Sequence, residues 1–351
     1  MATSPATGIA VLSQGRAAVY EEPLGPAGVR IRERPKTRPV QGAVAVNIRA
    51  SSINHLDLWM AHGAQREVTP PRVIAADGAG VVAESGDPGW KSGDEVVIYP
   101  VRCCWECEWC RAGENVKCPQ FGVIGEHTDG TACELFHVDA RNIFPKPRAL
   151  DWNETAAFPL TFLTAWRMLT TRARLKRGEK VLVVGAGAGV AVAAISIARH
   201  LGARVFATSR SDAKRRRALE LGAEAAFDST DFSKAVRAAS GGGVDVMFEH
   251  VGPATLTESM RSVVMGGRIV SCGSTSGVRA EIAMPRLFFG QMDLLGSTMG
   301  NASEFQAVLD AIDAGMRPVV DTVYPLVEVE AALTRLDAAE QFGKVVLSVS
   351  E

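Results

Sequence analysis

The sequence contains no apolar run of the roughly 18 residues that a membrane-spanning helix requires, and neither sign of charge is in excess. Its 38 Lys and Arg residues are balanced by 39 Asp and Glu residues, giving a formal net charge of −1. A chain without a net field does not attract nucleic acid or an anionic membrane over a distance. The opening segment MATSPATGIA also lacks the charged and then apolar plan of a secretion signal. These absences predict a cytoplasmic protein that acts on a small molecule, with neither nucleic acid nor membrane as partner.

Length and composition predict a globular protein of two domains. The chain has 351 residues, of which 47% are hydrophobic and 22% are charged, and domains average about 150 residues. Residues 25–150 are rich in Gly and Pro and carry short β-like runs, which predicts a mostly β domain. From Thr164 onward, apolar strands alternate with helix-length segments.

This alternation predicts a parallel sheet of six strands, because a strand–helix–strand unit closes with a right-handed crossover. Six such strands form the doubly wound Rossmann α/β fold that binds a dinucleotide. The predicted strands are Val181–Val184, Arg204–Thr208, Ala225–Asp228, Asp245–Glu249, Arg268–Cys272 and Asp293–Ser297.

The last fifty residues are predicted to return to the first domain. Helices are expected over Ala302–Ala314 and Val327–Ala339, and a final strand over Gly343–Leu347. The predicted division is therefore a discontinuous domain of residues 1–160 and 297–351, with the nucleotide-binding domain at 161–296.

Four cysteines predict a metal site. Cys104, Cys107, Cys110 and Cys118 follow the spacing C-x2-C-x2-C-x7-C, which lets four thiolates surround one tetrahedral zinc about 2.3 Å from each sulfur. No coordination position remains for a substrate, so we expect one structural zinc per chain. Four reduced thiols and an iron–sulfur cluster are the alternatives.

A glycine-rich turn predicts the cofactor site. Gly185, Gly187 and Gly189 join the first of the six strands to a helix, where free N–H groups and missing side chains suit a pyrophosphate. The second strand ends at Ser209 and Arg210, where enzymes that use NAD carry an acidic residue, and Lys214 follows one helical turn later. Two cations and no carboxylate at that point favour NADPH over NADH.

These motifs together resemble the medium-chain dehydrogenase/reductase superfamily of zinc alcohol dehydrogenases and quinone oxidoreductases. The other markers are Asn54-His-Leu-Asp, Ala76-Asp-Gly-Ala-Gly-Val-Val, Thr164-Ala-Trp and Phe342-Gly-Lys-Val-Val-Leu, and the match covers nearly the whole chain. The resemblance implies that the first domain is GroES-like. It also implies a homodimer paired through Asp293–Ser297.

The sequence departs from the zinc alcohol dehydrogenases at the catalytic metal. Asn54, Ala76-Asp77 and Leu160 stand where those enzymes carry a Cys, a His-Glu and a second Cys. An amide, an alanine and a leucine cannot supply the three strong ligands that a catalytic zinc needs. The expectation is therefore a reductase that has no catalytic zinc and resembles the zinc-free quinone and enoyl reductases.

A conjugated acceptor suits such a site, because the negative charge that hydride addition creates spreads to a remote oxygen that hydrogen bonds can stabilise. Asn54 and His55 are the candidate donors, although Asn54 also suits a turn, and His55 a packed position or a contact with the cofactor phosphates. The resemblance implies that Thr164 packs on the nicotinamide and Lys344 approaches the pyrophosphate. Gly252 and Ser274 are added as cofactor-binding candidates because they follow strand ends. An alcohol dehydrogenase and a non-catalytic NADPH-binding sensor or scaffold are the competing functions.

Overall fold

The first part of the chain forms antiparallel β-structure, as its alternating short apolar runs predict. The computed structural model describes residues 11–64 and 68–350; the opening ten residues, in which no secretion signal is predicted, lie outside them. The strands are β1 (Val11–Tyr20), β2 (Val29–Thr37), β3 (Ala43–Ser52), β4 (Arg72–Val73), β5 (Asp77–Ser85), β6 (Glu95–Ile98), β7 (Val101–Arg102), β8 (Gly122–Val123), β9 (Leu135–Asp139) and β10 (Ile143–Pro145), and the helices are α1 (His55–Ala61), α2 (Glu108–Arg111) and α3 (Trp152–Ala156).

Strand β3 lies at the centre of the main sheet of this domain. It pairs antiparallel with β5 and with β9, and β5 continues through β6 to β10. Its β-branched residues Val44, Val46 and Ile48 are fully buried, because alternate residues of a strand point to the same face. Strand β1 pairs with β2 and β4 in a second sheet.

The second domain is the predicted doubly wound sheet. Six strands, all parallel, lie in the order β13-β12-β11-β14-β15-β16, which is the arrangement of two mononucleotide-binding halves. The elements are α4 (Pro159–Trp166), β11 (Lys180–Val183), α5 (Gly189–His200), β12 (Arg204–Thr208), α6 (Asp212–Glu220), β13 (Ala225–Phe227), α7 (Phe232–Ser240), β14 (Val244–Glu249), α8 (Pro253–Ser262), β15 (Val263–Ser271), α9 (Met284–Phe289) and β16 (Asp293–Gly296).

All six predicted strands are confirmed, and only β15 differs by more than two residues at an end. It begins at Val263 rather than Arg268. Gly266 takes a positive φ of 73°, and the register with β14 shifts in this region. Two consecutive glycines in the middle of the strand hide its first half from a search for apolar runs.

The chain then returns to the first sheet. Strand β18 pairs antiparallel with β3 and parallel with β17, so the order of the main sheet becomes β10-β6-β5-β3-β18-β17. The boundaries proposed for the two domains stay a prediction. The last elements are α10 (Ala302–Asp313), β17 (Val320–Pro325), α11 (Val329–Asp337) and β18 (Lys344–Ser348).

An aromatic cluster fixes helix α10 against the first domain. The ring of Phe305 lies 5.5 Å from Tyr99, 5.1 Å from Phe144 and 5.8 Å from Phe158, measured between centroids. The Tyr99 hydroxyl donates to the carbonyl of Gly300 at 2.8 Å. The segment that precedes α10 is therefore held at a fixed distance from the first sheet.

Among residues 11–64 and 68–350, no helix combines the length and the apolar character that crossing a membrane demands.

Candidate active site

A cleft of about 1100 Å³ lies between the two domains. Nine of the twelve catalytic and cofactor-binding residues predicted from the sequence line it. They are Asn54, His55, Thr164, Gly185, Gly189, Ser209, Arg210, Lys214 and Lys344.

The glycine-rich turn forms one wall of the cleft. Its backbone conformation and its close neighbours require glycine. Gly185 and Gly187 have φ of 68° and 124°, in the region that L side chains avoid. Gly187 does not itself line the cleft: a Cβ there would lie 2.6 Å from Cδ of Lys214. Helix α5 begins at Gly189, so its first N–H groups offer a site for an anion.

The far end of the cleft carries two cations. Arg210 is exposed and has no hydrogen-bond or ion-pair partner among the described residues. Arg215, in the helix α6 that follows, is bound to Asp212 and Asp228. Lys214 donates from Nζ to the carbonyl of Ala339 at 2.5 Å, and burial lowers its pKa. Asp212 is the acidic residue close in sequence to these two cations, and its charge is balanced by Arg215.

Gly252 and Ser274 do not line the cleft, and their structural role is to form a turn. Gly252 has a φ of 90°, and its N–H donates to Oε1 of the buried Glu249 at 3.0 Å. The Ser274 hydroxyl donates to the carbonyl of Gly277. Their roles as cofactor-binding residues therefore stay predictions.

A buried network of three polar side chains lies where β3 meets its two neighbours. On one side, β3 pairs antiparallel with β18, and Ser52 lies opposite Val346. Two residues further along this register, Asn54 lies opposite Lys344. Pairing of Ser52 with Asp77 on the other side brings the carboxylate to the same place. Lys344 Nζ donates to Asp77 Oδ2 at 2.9 Å and also to Asn54 Oδ1, and Asn54 Nδ2 donates to Asp77 Oδ2 at 2.9 Å.

The carboxylate of Asp77 is fully satisfied. Its Oδ1 accepts the Leu160 N–H at 2.7 Å, and its Oδ2 also accepts the Ser52 hydroxyl at 3.1 Å. Asp77 is 0% exposed and Lys344 is 4% exposed, so this ion pair is removed from water. Two of the three positions that the resemblance assigns to zinc ligands contact this ion pair: Asn54 through its amide and Leu160 through its N–H.

Asp57 holds the backbone around this network. Its two oxygens accept the N–H groups of Asn54 at 2.7 Å and Ala75 at 2.8 Å. Ala75 has a φ of 73°, a strained conformation for a residue with a Cβ. Burial raises the pKa of Asp57 to about 6.

His55 faces the cleft as a neutral ring. Burial, followed by the nearby His250 and Lys344, lowers the pKa of His55 to about 4. At neutral pH it can donate one N–H but carries no extra proton. Thr164 is also in the cleft, with its hydroxyl turned to the carbonyl of Leu160 at 2.7 Å.

The predicted metal ligands come together in the loop between β7 and β8. The sulfur atoms of Cys104, Cys107, Cys110 and Cys118 all lie within 4.8 Å of one another. Backbone N–H groups point at them, including those of Cys107 to Cys104 at 3.3 Å and of Gln120 to Cys118 at 3.3 Å. Four thiols with this spacing and these donors fit a tetrahedral ion held as thiolates.

This cysteine lobe (residues 103–118) is tied to the wall of the cleft. The side-chain oxygens of Asn115 and Asn301 accept the N–H groups of Ala302 at 3.1 Å and Val116 at 3.2 Å. The buried Arg167 donates to Glu304 at 2.9 Å and to Glu114 at 3.1 Å. The start of α10, next to the cleft-lining residues at 298 and 299, is thereby joined to the lobe.

Several cleft residues escaped the sequence reasoning. His250, Ser229, Thr230 and Gln341 line the cleft but carry no motif. His250 pairs through Nε2 with the carbonyl of Val184 at 2.9 Å. The sequence motif gives Asp77 only as the residue that stands where the zinc enzymes carry the Glu of a His-Glu pair. The signal for its buried role is an acidic residue at the start of a strand, directly before the apolar run 78–83.

The fold, the glycine turn and the cleft between the domains define a dinucleotide-dependent oxidoreductase. Residues 40–148 match the model of the alcohol dehydrogenase GroES-like domain, and residues 189–314 match that of the zinc-binding dehydrogenase domain. The chain belongs to the medium-chain dehydrogenase/reductase superfamily, as its motifs predict.

Three relatives illustrate the range of this superfamily. A crotonyl-CoA carboxylase/reductase of Cereibacter sphaeroides is 29% identical over 330 residues, covering 84% of this chain and 77% of its own. The crystal structure of an NAD-dependent alcohol dehydrogenase has a TM-score of 0.92 and 39% identity, covering 95% of this chain and 100% of that one. The structure of a 2-octenoyl-CoA carboxylase reductase in complex with NADP and 2-octenoyl-CoA has a TM-score of 0.89 and 27% identity, with coverages of 97% and 88%.

Asp77→Asn is expected to lower the free energy of unfolding by about 3–5 kcal/mol, because it leaves the buried ammonium of Lys344 without its counter-charge. Urea denaturation measures the change. The control is Glu224→Gln, which breaks the exposed pair with Arg204 and should leave stability nearly unchanged.

The double variant Asp77→Asn/Lys344→Met removes both charges and should be more stable than Asp77→Asn alone. A double variant that is less stable than either single variant contradicts the coupling of the two groups.

Proposed function

We propose that this protein is an NADPH-dependent reductase that transfers a hydride to a conjugated carbonyl compound, an enone or enoyl thioester, or to a quinone, without a catalytic zinc. The observation that carries the proposal is the network of Asn54, Asp77 and Lys344 at the point where the zinc alcohol dehydrogenases hold their metal. The ammonium of Lys344 is bound to Asn54 and Asp77, and its charge would repel a zinc ion.

The chemistry of a conjugated acceptor suits this site. Bound NADPH would supply the hydride. As the β-carbon of the acceptor gains it, the electrons of the double bond move to the carbonyl oxygen, and protonation at the α-carbon completes the reduction. Asn54 and His55 are the proposed donors to the acceptor, and His55 acts as a neutral donor because of its low pKa. Thr164 would pack on the nicotinamide.

The choice of NADPH rests on the far end of the cleft. Ser209, Arg210 and Lys214 would hold the 2′-phosphate, and the neighbouring carboxylate of Asp212 is bound to Arg215. Charge-assisted hydrogen bonds to a phosphate are roughly twice as strong as neutral ones. The complex of the 2-octenoyl-CoA relative with NADP supports this choice. Gly185, Gly187 and Gly189 would accommodate the pyrophosphate.

The cysteine lobe is proposed to hold one structural zinc through Cys104, Cys107, Cys110 and Cys118. Its own side chains form little apolar core, and binding free energies of about 10–16 kcal/mol are typical of such sites. The metal would fix the loop that supports the start of α10.

A homodimer in the cytoplasm is the proposed assembly. Strand β16 is the edge of the six-stranded sheet, and nearby apolar side chains are exposed, namely Leu294, Phe288 and Phe289. Pairing of two such edges would cover an otherwise aggregation-prone surface. No nucleic acid or membrane partner is proposed.

An alcohol dehydrogenase or ketone reductase is the second candidate, since the NAD-dependent alcohol dehydrogenase structure is 39% identical. The buried network argues for the first candidate. Reduction of a simple ketone builds a full alkoxide, which needs stronger charge stabilisation than an enolate. A sensor that binds NADPH without catalysis is the third.

We expect the purified protein to oxidise NADPH with enones, enoyl thioesters or quinones as acceptors and not to reduce simple ketones. The loss of NADPH absorbance measures the rate for each acceptor class, with and without a chelator. Activity with simple ketones alone would falsify the conjugated-acceptor proposal. Tight NADPH binding without turnover of any acceptor would favour the sensor.

Arg210→Ala should weaken NADPH binding by about 10- to 100-fold, because it removes a charge-assisted hydrogen bond to the 2′-phosphate. NADH binding should not change. The control is Arg216→Ala, which removes an exposed arginine of the following helix α6 and should leave both constants unaltered. Equal losses for NADH and NADPH would contradict a 2′-phosphate contact.

Metal analysis should find about one zinc per chain, because a closed tetrahedral site needs four ligands. Cys107→Ser should lose the metal and melt at a lower temperature. The neighbouring Cys103, whose sulfur accepts a weak bond from Asn115, is outside the ligand set, so Cys103→Ser should keep the metal. Two zinc ions per chain would mean that a catalytic metal is present after all.

A further inference from the structure

The first residue of β18, Lys344, brings a positive charge to the cleft beside the end of β3. Lys344 lines the cleft, yet its ammonium is bound to Asp77 and Asn54 rather than directed to the open end. Its aliphatic chain passes the start of α5: a Cβ at Gly189 would lie 3.0 Å from Cδ of Lys344. The stem therefore lies beside the pyrophosphate-binding turn, while the charge lies beyond it, next to Asn54.

The partners fix the orientation of the Asn54 amide. An ammonium can only donate hydrogen bonds and a carboxylate can only accept them. The carbonyl oxygen of Asn54 must therefore face Lys344, and its NH2 group must face Asp77, as the contacts show. A flipped amide would set donor against donor.

Hydrogen-bonding capacity remains after these contacts. The amide nitrogen of Asn54 carries two hydrogens and the ammonium of Lys344 carries three. Among the described residues, Asn54 Nδ2 uses one bond and Lys344 Nζ uses two. One N–H of each group is left, and both residues belong to the lining of the cleft.

We propose that Lys344 and Asn54 form the oxyanion site of the reductase, with Asp77 as the positioning residue that holds both. This inference rests on the proposed function. When hydride adds to the β-carbon, the electrons of the carbon–carbon double bond pass through the carbonyl carbon to its oxygen. That oxygen accepts hydrogen bonds from the remaining N–H of Lys344 and of Asn54. The α-carbon then takes a proton from water.

The assignment differs from the pyrophosphate role that the family resemblance implies for Lys344. A lysine that served only the pyrophosphate would need no buried counter-ion and no amide partner. A charge that is buried, paired and oriented before the reaction stabilises a developing anion without reorganisation. Asp77 also supplies the counter-charge of the buried ammonium, since an unpaired buried cation is strongly disfavoured.

The test separates cofactor binding from chemistry. With Lys344→Met, the kcat for an enone at saturating NADPH should fall by about 100- to 1000-fold, the usual cost of losing one oxyanion donor. The dissociation constant of NADPH, measured by fluorescence, should change by less than about threefold, because a loss of the charge at the reacting oxygen does not alter the phosphate contacts. Lys344→Arg keeps the charge and should recover part of the rate.

The opposite result overturns the inference. A weaker NADPH complex with an unchanged kcat at saturation assigns Lys344 to the pyrophosphate. A wild-type enzyme that reduces only simple ketones overturns both this inference and the proposed function. A wild type that reduces enones, together with an unimpaired Lys344→Met, removes the oxyanion site and leaves the proposed function standing.

The positioning role of Asp77 is tested by comparing its substitution in the wild type and in the Lys344→Met variant. Asp77→Asn alone should lower kcat, but in Lys344→Met it should lower kcat no further, because residues that act as a unit are not additive. Independent losses in the double variant contradict the positioning role. The double variant has no unpaired buried charge, so it replaces Lys344→Met in the test if that single variant does not fold. In that case a retained kcat overturns the oxyanion site. A lost kcat with normal NADPH binding supports it.

Discussion

The buried ion pair between Lys344 and Asp77 is the interaction on which the centre of this cleft depends. Removing two charges from water costs several kcal/mol for each ion, and their attraction offsets this only when further hydrogen bonds complete the site. Asp77 obtains them from Leu160, Ser52 and Asn54. Together with Lys344, these partners bring three separate segments to one carboxylate, and each segment also contributes a residue to the lining of the cleft.

In the proposed function, the ion pair takes the place of a catalytic metal. A metal needs three strong ligands and an open position, whereas an ammonium needs acceptors and a counter-charge. Asn54, Ala76 and Leu160 cannot build the first arrangement. Asn54, Asp77 and the N–H of Leu160 complete the second. The cysteine lobe supports the opposite wall through Asn115, Asn301 and Arg167, so a remote metal would act on the cleft through structure rather than through chemistry.

The nucleotide-binding half could be predicted from sequence because its signals are local. Each parallel strand is a short apolar run between helical segments, and the glycine turn follows the first of them. Strand β15 differs from its prediction at its start, because local signals mislead there. Gly266 and Gly267 conceal the first half of β15. The cofactor-binding roles of Gly252 and Ser274 stay predictions; in the structure their polar groups are bound to Glu249 and Gly277.

The sequence by itself determined the two-domain α/β architecture, the glycine turn, the four sulfurs and the loss of the zinc ligands, since each depends on residue types at fixed short spacing. Only the tertiary structure decided what replaced those ligands. Asn54, Asp77 and Lys344 are far apart in the chain, and the register of β3 with β5 and β18 brings them together. No local pattern encodes a strand register between distant segments, because the register is set by how whole faces of the sheet bury their apolar residues.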